Sequence, residues 1–320
     1  MSIVLGILWL TQQYDIIVLF NDISEKNQNR IKWGARKHSN ISIRFIRVCE
    51  YFDNEKLFVD QHLSVETYYR LIIPEIMPAY HRILYLDCDM VTDHDVAELY
   101  DIELNGCIIG AAKDIDVAGQ VNLKQNNWDR YAVEELKLAS PYDYFQAGVL
   151  ILNLELLRRT ASSEEMIRLA LSRSWRCHDQ DVLNMVCKGR VHYIPQKWNT
   201  LMSWQEPGRS RMDILKMAPR KLYEEYIEAR RQPYMIHFAG YQKPWDVADC
   251  DFAEYFWEYA KNSSYFATLL SKCTTTLSEG AVLRSSLKNI PVLRKAANRL
   301  LPYGSRRREL IKKFDYNLNK

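Results

Sequence analysis

Asp87 and Asp89 are two carboxylates one residue apart, at the end of the apolar run Arg82-Ile83-Leu84-Tyr85-Leu86. A short apolar run bounded by polar residues reads as a buried strand. In extended chain, residues two apart point to the same side. Both carboxylates then aim at one point past the strand's C-terminal end, where open α/β sheets bind ligands. Two like charges aimed together are costly unless a cation lies between them. A divalent ion carrying a phosphorylated substrate meets that need. The same spacing also arises where one aspartate caps the next turn and the other is solvated.

The elements that must hold this pair alternate along the chain. Asp15–Phe20 is a strand, and only Gln12, Gln13 and Tyr14 separate it from the apolar opening segment Met1–Thr11. A parallel crossover needs about a dozen residues, so the opening segment reads as the last part of a helix packed on the sheet. Ser24 is placed to cap a helix running towards His38, and Ile41–Val48 alternates apolar and polar as a half-buried strand. Ser64 is placed to cap the next helix, through Arg70 and Leu71, and Pro74 interrupts it. Cys107–Ala112 is a further strand. Residues 115–143 form a long polar excursion of the kind used for lids or acceptor loops.

Tyr144–Leu154 is the longest apolar strand, and its Gly148 lets another group approach the backbone closely. A helix follows over Ser162–Arg173. His178-Asp179-Gln180-Asp181 opens another, its two carboxylates suited to the positive end of the helix dipole. Strands are expected at Arg190–Ile194 and Tyr234–Phe238, with residues 200–230 mostly helical between them. This order specifies an α/β fold around a mostly parallel sheet.

The 320 residues suffice for one large domain, assigned to residues 1–260, plus an appendage over 261–320. No apolar run reaches the roughly 18 residues of a membrane span. Met1–Leu10 lacks the basic flank and cleavage site of a signal peptide. The seven cysteines are scattered with no C-x-x-C. That pattern indicates reduced thiols in a cytoplasm, and argues against a zinc site or a disulfide framework. Arg284–Lys320 carries 11 Lys+Arg against 2 Asp+Glu, a local +9, which leaves the rest of the +3 chain at −6. This basic tail is interleaved with Leu300, Leu301, Tyr303 and Phe314. It suits the anionic inner face of a plasma membrane, at about 1 kcal/mol per basic residue. No nucleic-acid motif accompanies the charge, so no nucleic-acid partner is expected.

Four blocks of sequence carry a resemblance. They are S-V-E-T-Y-Y-R-L (64–71), R-I-L-Y-L-D-C-D (82–89), Y-F-Q-A-G-V-L-I-L-N (144–153) and H-F-A-G-Y-Q-K-P-W (237–245). A shorter fifth block, H-D-Q-D-V-L-N (178–184), lies between the last two. In this order they resemble glycosyltransferase family 8, the retaining nucleotide-sugar transferases that include bacterial lipopolysaccharide galactosyl- and glucosyltransferases and, more distantly, glycogenin. The resemblance runs to about residue 250 and implies a single GT-A, Rossmann-like nucleotide-sugar-binding domain. It implies that Asp87 and Asp89 bind Mn²⁺ (Mg²⁺ as a substitute) held by the donor diphosphate. His237, by itself an ordinary core histidine, becomes the third ligand. Two carboxylates and an imidazole suit Mn²⁺.

The resemblance further implies that Gly240 and Lys243 wrap the diphosphate, with the lysine neutralising the leaving nucleotide. Arg70 lies near the donor sugar and diphosphate, Asp114 and Asp179 hold sugar hydroxyls, and Gln180 sits at the reacting face of the anomeric carbon. The implied reaction moves glucose or galactose, with retention, from UDP-glucose or UDP-galactose to a saccharide or glycolipid acceptor. Two departures stand out. The family's first strand, which contacts the uridine, is expected to lie before Met1, so the first β-strand is missing here. Gln146 stands where relatives commonly carry Asn, in a position that contacts the donor. The missing strand supports an alternative: an impaired, truncated relative that binds a nucleotide or glycan as a scaffold.

Overall fold

The structure, a computed structural model, describes residues 12–48, 51, 65–123, 126–206 and 209–279. The expectations for Met1–Thr11, for the strand before it, for Ser64 and for the basic tail past residue 279 lie outside these residues. The chain divides into two compact units, Met1–Tyr241 and Gln242–Lys320.

The first unit opens with a β-α-β element. Strand β1 (Tyr14–Phe20) passes through helix α1 (Glu25–Ala35) to strand β2 (Ile41–Arg47), which pairs with β1 in parallel, Tyr14 opposite Ile41 and Phe20 opposite Arg47. The Ser24 hydroxyl accepts the Asn27 N–H and caps α1, satisfying one of the donors a helix start leaves open. A 3₁₀ helix, Val65–Ile72, then runs into the single turn α2 (Ile73–Ile76), with Pro74 in its first turn. Pro74 thus marks the change of helix type, because its ring cannot donate an N–H further inside.

The main sheet is built from β3 (Arg82–Leu86), β5 (Ile109–Lys113), β6 (Phe145–Asn153) and β7 (Val191–Tyr193), in the order β3-β6-β5-β7. β6 runs antiparallel to both neighbours, and β5 pairs with β7 in parallel, so three of the four strands share one direction. β6 is apolar along nearly its whole length because it is covered on both faces. Leu150 and Leu152 join a cluster with Tyr68, Leu71 and Ile72 of the 3₁₀ helix. Val149 and Ile151 join a second cluster with Leu99, Trp198 and Met235.

A smaller sheet carries the end of the unit. β4 (Met90–Thr92), β8 (Thr200–Leu201) and β11 (Met235–His237) lie in the order β4-β11-β8, with β11 antiparallel to β4 and parallel to β8. The expected strand ends at Leu86 as β3, and after the aspartate pair the chain resumes as the separate short strand β4. The stretch 200–230, expected to be mostly helical, instead begins with β8 and the two-strand pair β9 (Gln205–Glu206) and β10 (Arg209–Ser210).

Helices fill the remaining connections of this unit. They are α3 (Val96–Tyr100), α4 (Ile115–Val121), α5 (Trp128–Arg130), α6 (Leu154–Thr160), α7 (Ser163–Leu171), α8 (His178–Cys187), α9 (Arg211–Leu215) and α10 (Arg220–Arg231). Ser162 and Glu165 form a reciprocal capping box at α7. α4 lies on α9 so closely that a Cβ on Gly119 would stand 2.2 Å from the Ile214 carbonyl oxygen.

In the second unit, the described residues form α11 (Ala253–Ala260) and α12 (Phe266–Glu279). The Cys273 thiol donates to the Trp245 carbonyl at 3.0 Å, and Lys272 pairs with Asp246 at 2.6 Å. Among the described residues no helix is long and apolar enough to cross a membrane.

Candidate active site

Asp87 and Asp89 sit where β3 ends. The Asp87 N–H still donates to the Gly148 carbonyl at 2.9 Å, so the ladder between β3 and β6 runs one residue past the strand. Met90, the first residue of β4, then pairs with His237 in β11, and the Phe238 N–H donates to the Asp89 carbonyl at 2.9 Å. That register delivers the histidine to the carboxylates from 150 residues away in sequence. His237 Nε2 lies 3.2 Å from Asp89 Oδ1 and 3.7 Å from Asp87 Oδ2. The ligand atoms of Asp87, Asp89 and His237 all fall within 4.8 Å of one another. His237 is buried, whereas the carboxylate side chains keep 24% and 20% of their surface. A buried imidazole nitrogen facing two half-open carboxylates is a donor set that fits a divalent cation reached from one side.

Gly148 makes this approach possible. A Cβ there would stand 2.4 Å from His237 Cε1 and 2.9 Å from Asp87 Oδ2. The close approach expected at this glycine is to His237 and Asp87 of this cluster.

Behind the cluster lies a buried guanidinium. Arg70 Nη2 donates to Asp87 Oδ1 at 2.9 Å, Nε pairs with Asp179 Oδ2 at 2.8 Å, and Nη1 donates to the Ala147 carbonyl. Its plane lies over the Tyr85 ring, 4.6 Å from the centroid, and the Tyr85 hydroxyl also donates to Asp87 Oδ1 at 2.8 Å. One oxygen of Asp87 is thus tied down by two donors, and the other turns to His237. Arg70 is a fork between two carboxylates, the geometry that suits a guanidinium.

The Thr67 hydroxyl donates to Asp179 Oδ1, completing that carboxylate's inner contacts. Burial lifts the Asp179 pKa to about 6, against the pull of Arg70 and Thr67. Gln180 is held at both ends: its Oε1 accepts the Ala147 N–H at 2.8 Å and its Nε2 donates to Asp114 Oδ2 at 3.0 Å. Asp114 in turn caps α4, its Oδ1 accepting the Val117 N–H at 3.0 Å. Burial, with Asp116 nearby, lifts the Asp114 pKa to about 6.

The structure therefore brings Arg70, Asp87, Asp89, Asp114, Gln146, Asp179, Gln180 and His237 into one hydrogen-bonded neighbourhood. Gly240 closes the first unit with a φ of 117°, a conformation only glycine takes without strain. Lys243 belongs to the second unit, where its carbonyl accepts the Asp246 and Val247 N–H groups.

Several contributors had no visible signal in the sequence. Asn199 binds His237 Nδ1 at 3.0 Å from a turn outside every motif. Thr67 and Tyr85 lie inside motifs but are of types that ordinarily pack. Arg211 reads as one charge among many in a helix. In the fold it is buried, and bonds Asp116 at 2.6 Å, the Met202 carbonyl at 3.1 Å and the Ala239 carbonyl at 2.8 Å.

The fold and the site together define a glycosyltransferase of the GT-A class. The sequence model of glycosyl transferase family 8 matches residues 4–248, and the chain belongs to that family. It is 26% identical over 181 residues to lipopolysaccharide 1,2-glucosyltransferase of Escherichia coli (strain K12), covering 56% of this chain and 48% of that protein. Among solved structures it resembles the WbbM bifunctional glycosyltransferase, with TM-score 0.72 and 29% identity, over 82% of this chain and 46% of that one. It also resembles galactosyltransferase LgtC in complex with donor and acceptor sugar analogs, with TM-score 0.61 and 28% identity, over 79% of this chain and 87% of that one. The chain spans about half the length of the first two of these relatives.

Proposed function

We propose that this chain is a metal-dependent, retaining hexosyltransferase. It moves glucose or galactose from a UDP-sugar to a saccharide or glycolipid acceptor, in lipopolysaccharide or cell-surface polysaccharide synthesis. The observation that carries this reading is the convergence of Asp87, Asp89 and His237 from two strands onto one point, backed by Arg70. Asp87, Asp89 and His237 would hold the cation, Mn²⁺ or Mg²⁺, which supplies positive charge to the departing diphosphate. Relatives with lipopolysaccharide and donor–acceptor sugar chemistry in their names support the substrate class. Gly240 and Lys243 are assigned to the diphosphate, and Asp114, Asp179 and the free end of Gln146 to the donor sugar. The basic tail is assigned to the inner membrane face, where a glycolipid acceptor would lie.

The side chains nearest the reacting centre favour a front-face route to retention. A double displacement needs a carboxylate free to attack the anomeric carbon. Asp179 is engaged by Arg70 and Thr67, and Gln180 is an amide whose oxygen already accepts the Ala147 N–H. In the front-face route the bond from the anomeric carbon to the diphosphate breaks as the acceptor oxygen approaches on the same face. The acceptor's proton passes to the departing phosphate oxygen. Gln180, held by the Ala147 N–H and Asp114, is assigned to the reacting face of the anomeric carbon.

The test is release of UDP from UDP-glucose and UDP-galactose without acceptor. Expected is Mn²⁺-dependent hydrolysis of one of the two, lost in Asp89→Asn. Metal-independent binding without turnover would instead mark a nucleotide- or glycan-binding scaffold. A sugar adduct trapped on Asp179 or Gln180 would overturn the front-face route.

A further inference from the structure

The histidine of the cluster can reach a cation with only one ring nitrogen, and the structure determines which. A backbone N–H, which can only donate, fixes the polarity of the contacts around it. The Gly148 N–H donates to Gln146 Oε1 at 2.6 Å, so the oxygen end of that amide faces Gly148. The same oxygen lies 2.6 Å from the Asn199 side chain, which must therefore present its NH₂ group there. That leaves Asn199 Oδ1 facing His237 Nδ1 at 3.0 Å, and an amide oxygen can only accept. The Nδ1 position consequently carries a proton, and Nε2 is the nitrogen left facing Asp87 and Asp89, available to a cation between them.

We propose that Gln146 and Asn199 are positioning residues that set the tautomer and the aim of His237, through a relay of side-chain amides anchored on the Gly148 N–H. This inference rests on the metal reading of the cluster and adds to it residues that no ligand-type pattern identifies. Burial reinforces the relay. Asn199 and His237 are each 2% exposed, so water does not compete for their bonds. Register reinforces it too, because Thr200 pairs with Ile236 and Leu201 with His237, which locks Asn199 beside the imidazole.

The relay gives Gln146 a function that depends on arm length. Its oxygen bonds its own chain two residues on and a side chain 53 positions away. The shorter arm of Asn at this position would place its amide about one bond length back. Only the oxygen of Gln146 takes part, so a carboxylate could replace the amide without reversing any bond. Asn199 is different: it must donate at one end and accept at the other.

The experiment uses the full-length chain with ¹⁵N-labelled histidine, at about pH 8, above the ordinary imidazole range. His237 is assigned by comparison with His237→Gln. Expected is a proton on Nδ1 in the metal-free wild type, whether Nε2 is bare or protonated towards Asp87 and Asp89, and loss of that Nδ1 preference in Asn199→Ala. Mn²⁺ binding, read by calorimetry without any donor sugar, should weaken about 10–100-fold in Asn199→Ala and Gln146→Leu. Gln146→Glu should keep the tautomer, because it reverses no bond of the relay. A wild-type ring protonated on Nε2 and not on Nδ1 overturns the relay. So does wild-type Mn²⁺ affinity in Asn199→Ala with the tautomer unchanged. If the wild type shows the expected tautomer and no Mn²⁺ binding, the metal reading fails and the proposal falls with it.

Discussion

The chain contains the Asp-x-Asp spacing five times, and two of these pairs, Asp87/Asp89 and Asp179/Asp181, fold into two different objects. At the end of β3 the chain is extended, and both carboxylates meet His237. In the first turn of α8 the chain is helical, and residues two apart are turned about 200° from one another. Asp179 points to Arg70 and Thr67. Asp181 points the other way, where it accepts the Tyr131 hydroxyl at 2.6 Å, the Tyr144 hydroxyl at 2.5 Å and the Cys177 N–H at 2.9 Å. It is 0% exposed. The first pair keeps open faces for a ligand, while Asp181 is satisfied from within the protein. The helix dipole, which alone would account for acids in a first helical turn, is the smaller part of their role.

If that contrast is right, the largest effect on folding comes from Asp181. Asp181→Leu leaves two tyrosine hydroxyls and a backbone N–H without their acceptor. It should lower stability by about 3–5 kcal/mol, read by urea denaturation. A loss below about 1 kcal/mol would erase the distinction.

Asp89→Asn should do the reverse: UDP release falls about 100–1,000-fold while the melting temperature holds or rises. Rise is the direction expected when one of two facing carboxylates is neutralised.

Gly148→Ala comes next, because it joins the two properties at one position. Its methyl would overlap His237 and Asp87, so stability should fall by up to about 3 kcal/mol and Mn²⁺ affinity should fall with it. A variant that loses stability and binds Mn²⁺ normally would show that the cluster tolerates displacement.

The smallest effect concerns pH. The Asp114 carboxyl titrates at about 6 in the fold, above its ordinary value, because burial disfavours the charge. A raised folded pKa means that its contribution to stability is present below the ordinary aspartate value and is lost as pH rises through about 6. In Asp114→Asn that part of the pH dependence, about 3 kcal/mol, should be absent from stability measured across this window. An unchanged slope would place the titration elsewhere.

Much of the fold was legible in the chain because burial writes a period into sequence. β6 reads as a continuous apolar strand, β2 as an alternating one, and Ser24 as a cap, and each stands where it was expected. The strand β4 beyond the aspartates was not legible, since 3 residues are too few to show a period. The start of residues 200–230 was misread as helical because β8 is two residues long, too short to show any period.

What the sequence alone determined is the identity and local posture of the chemistry. Two acids two residues apart on extended chain point to one side, and a glycine in a central strand leaves room for close approach. The family motifs named His237, Arg70 and Gln180 without locating them. Tertiary structure decided what those groups face. Strand register brings His237 beside Asp89, helix rotation separates Asp179 from Asp181, and a chain of two amides selects the nitrogen that His237 presents. The physical reason is the difference between the two kinds of information. Local conformation follows from nearest neighbours along the chain. Hydrogen-bond polarity and charge pairing are set by groups that only packing brings within 3 Å of one another.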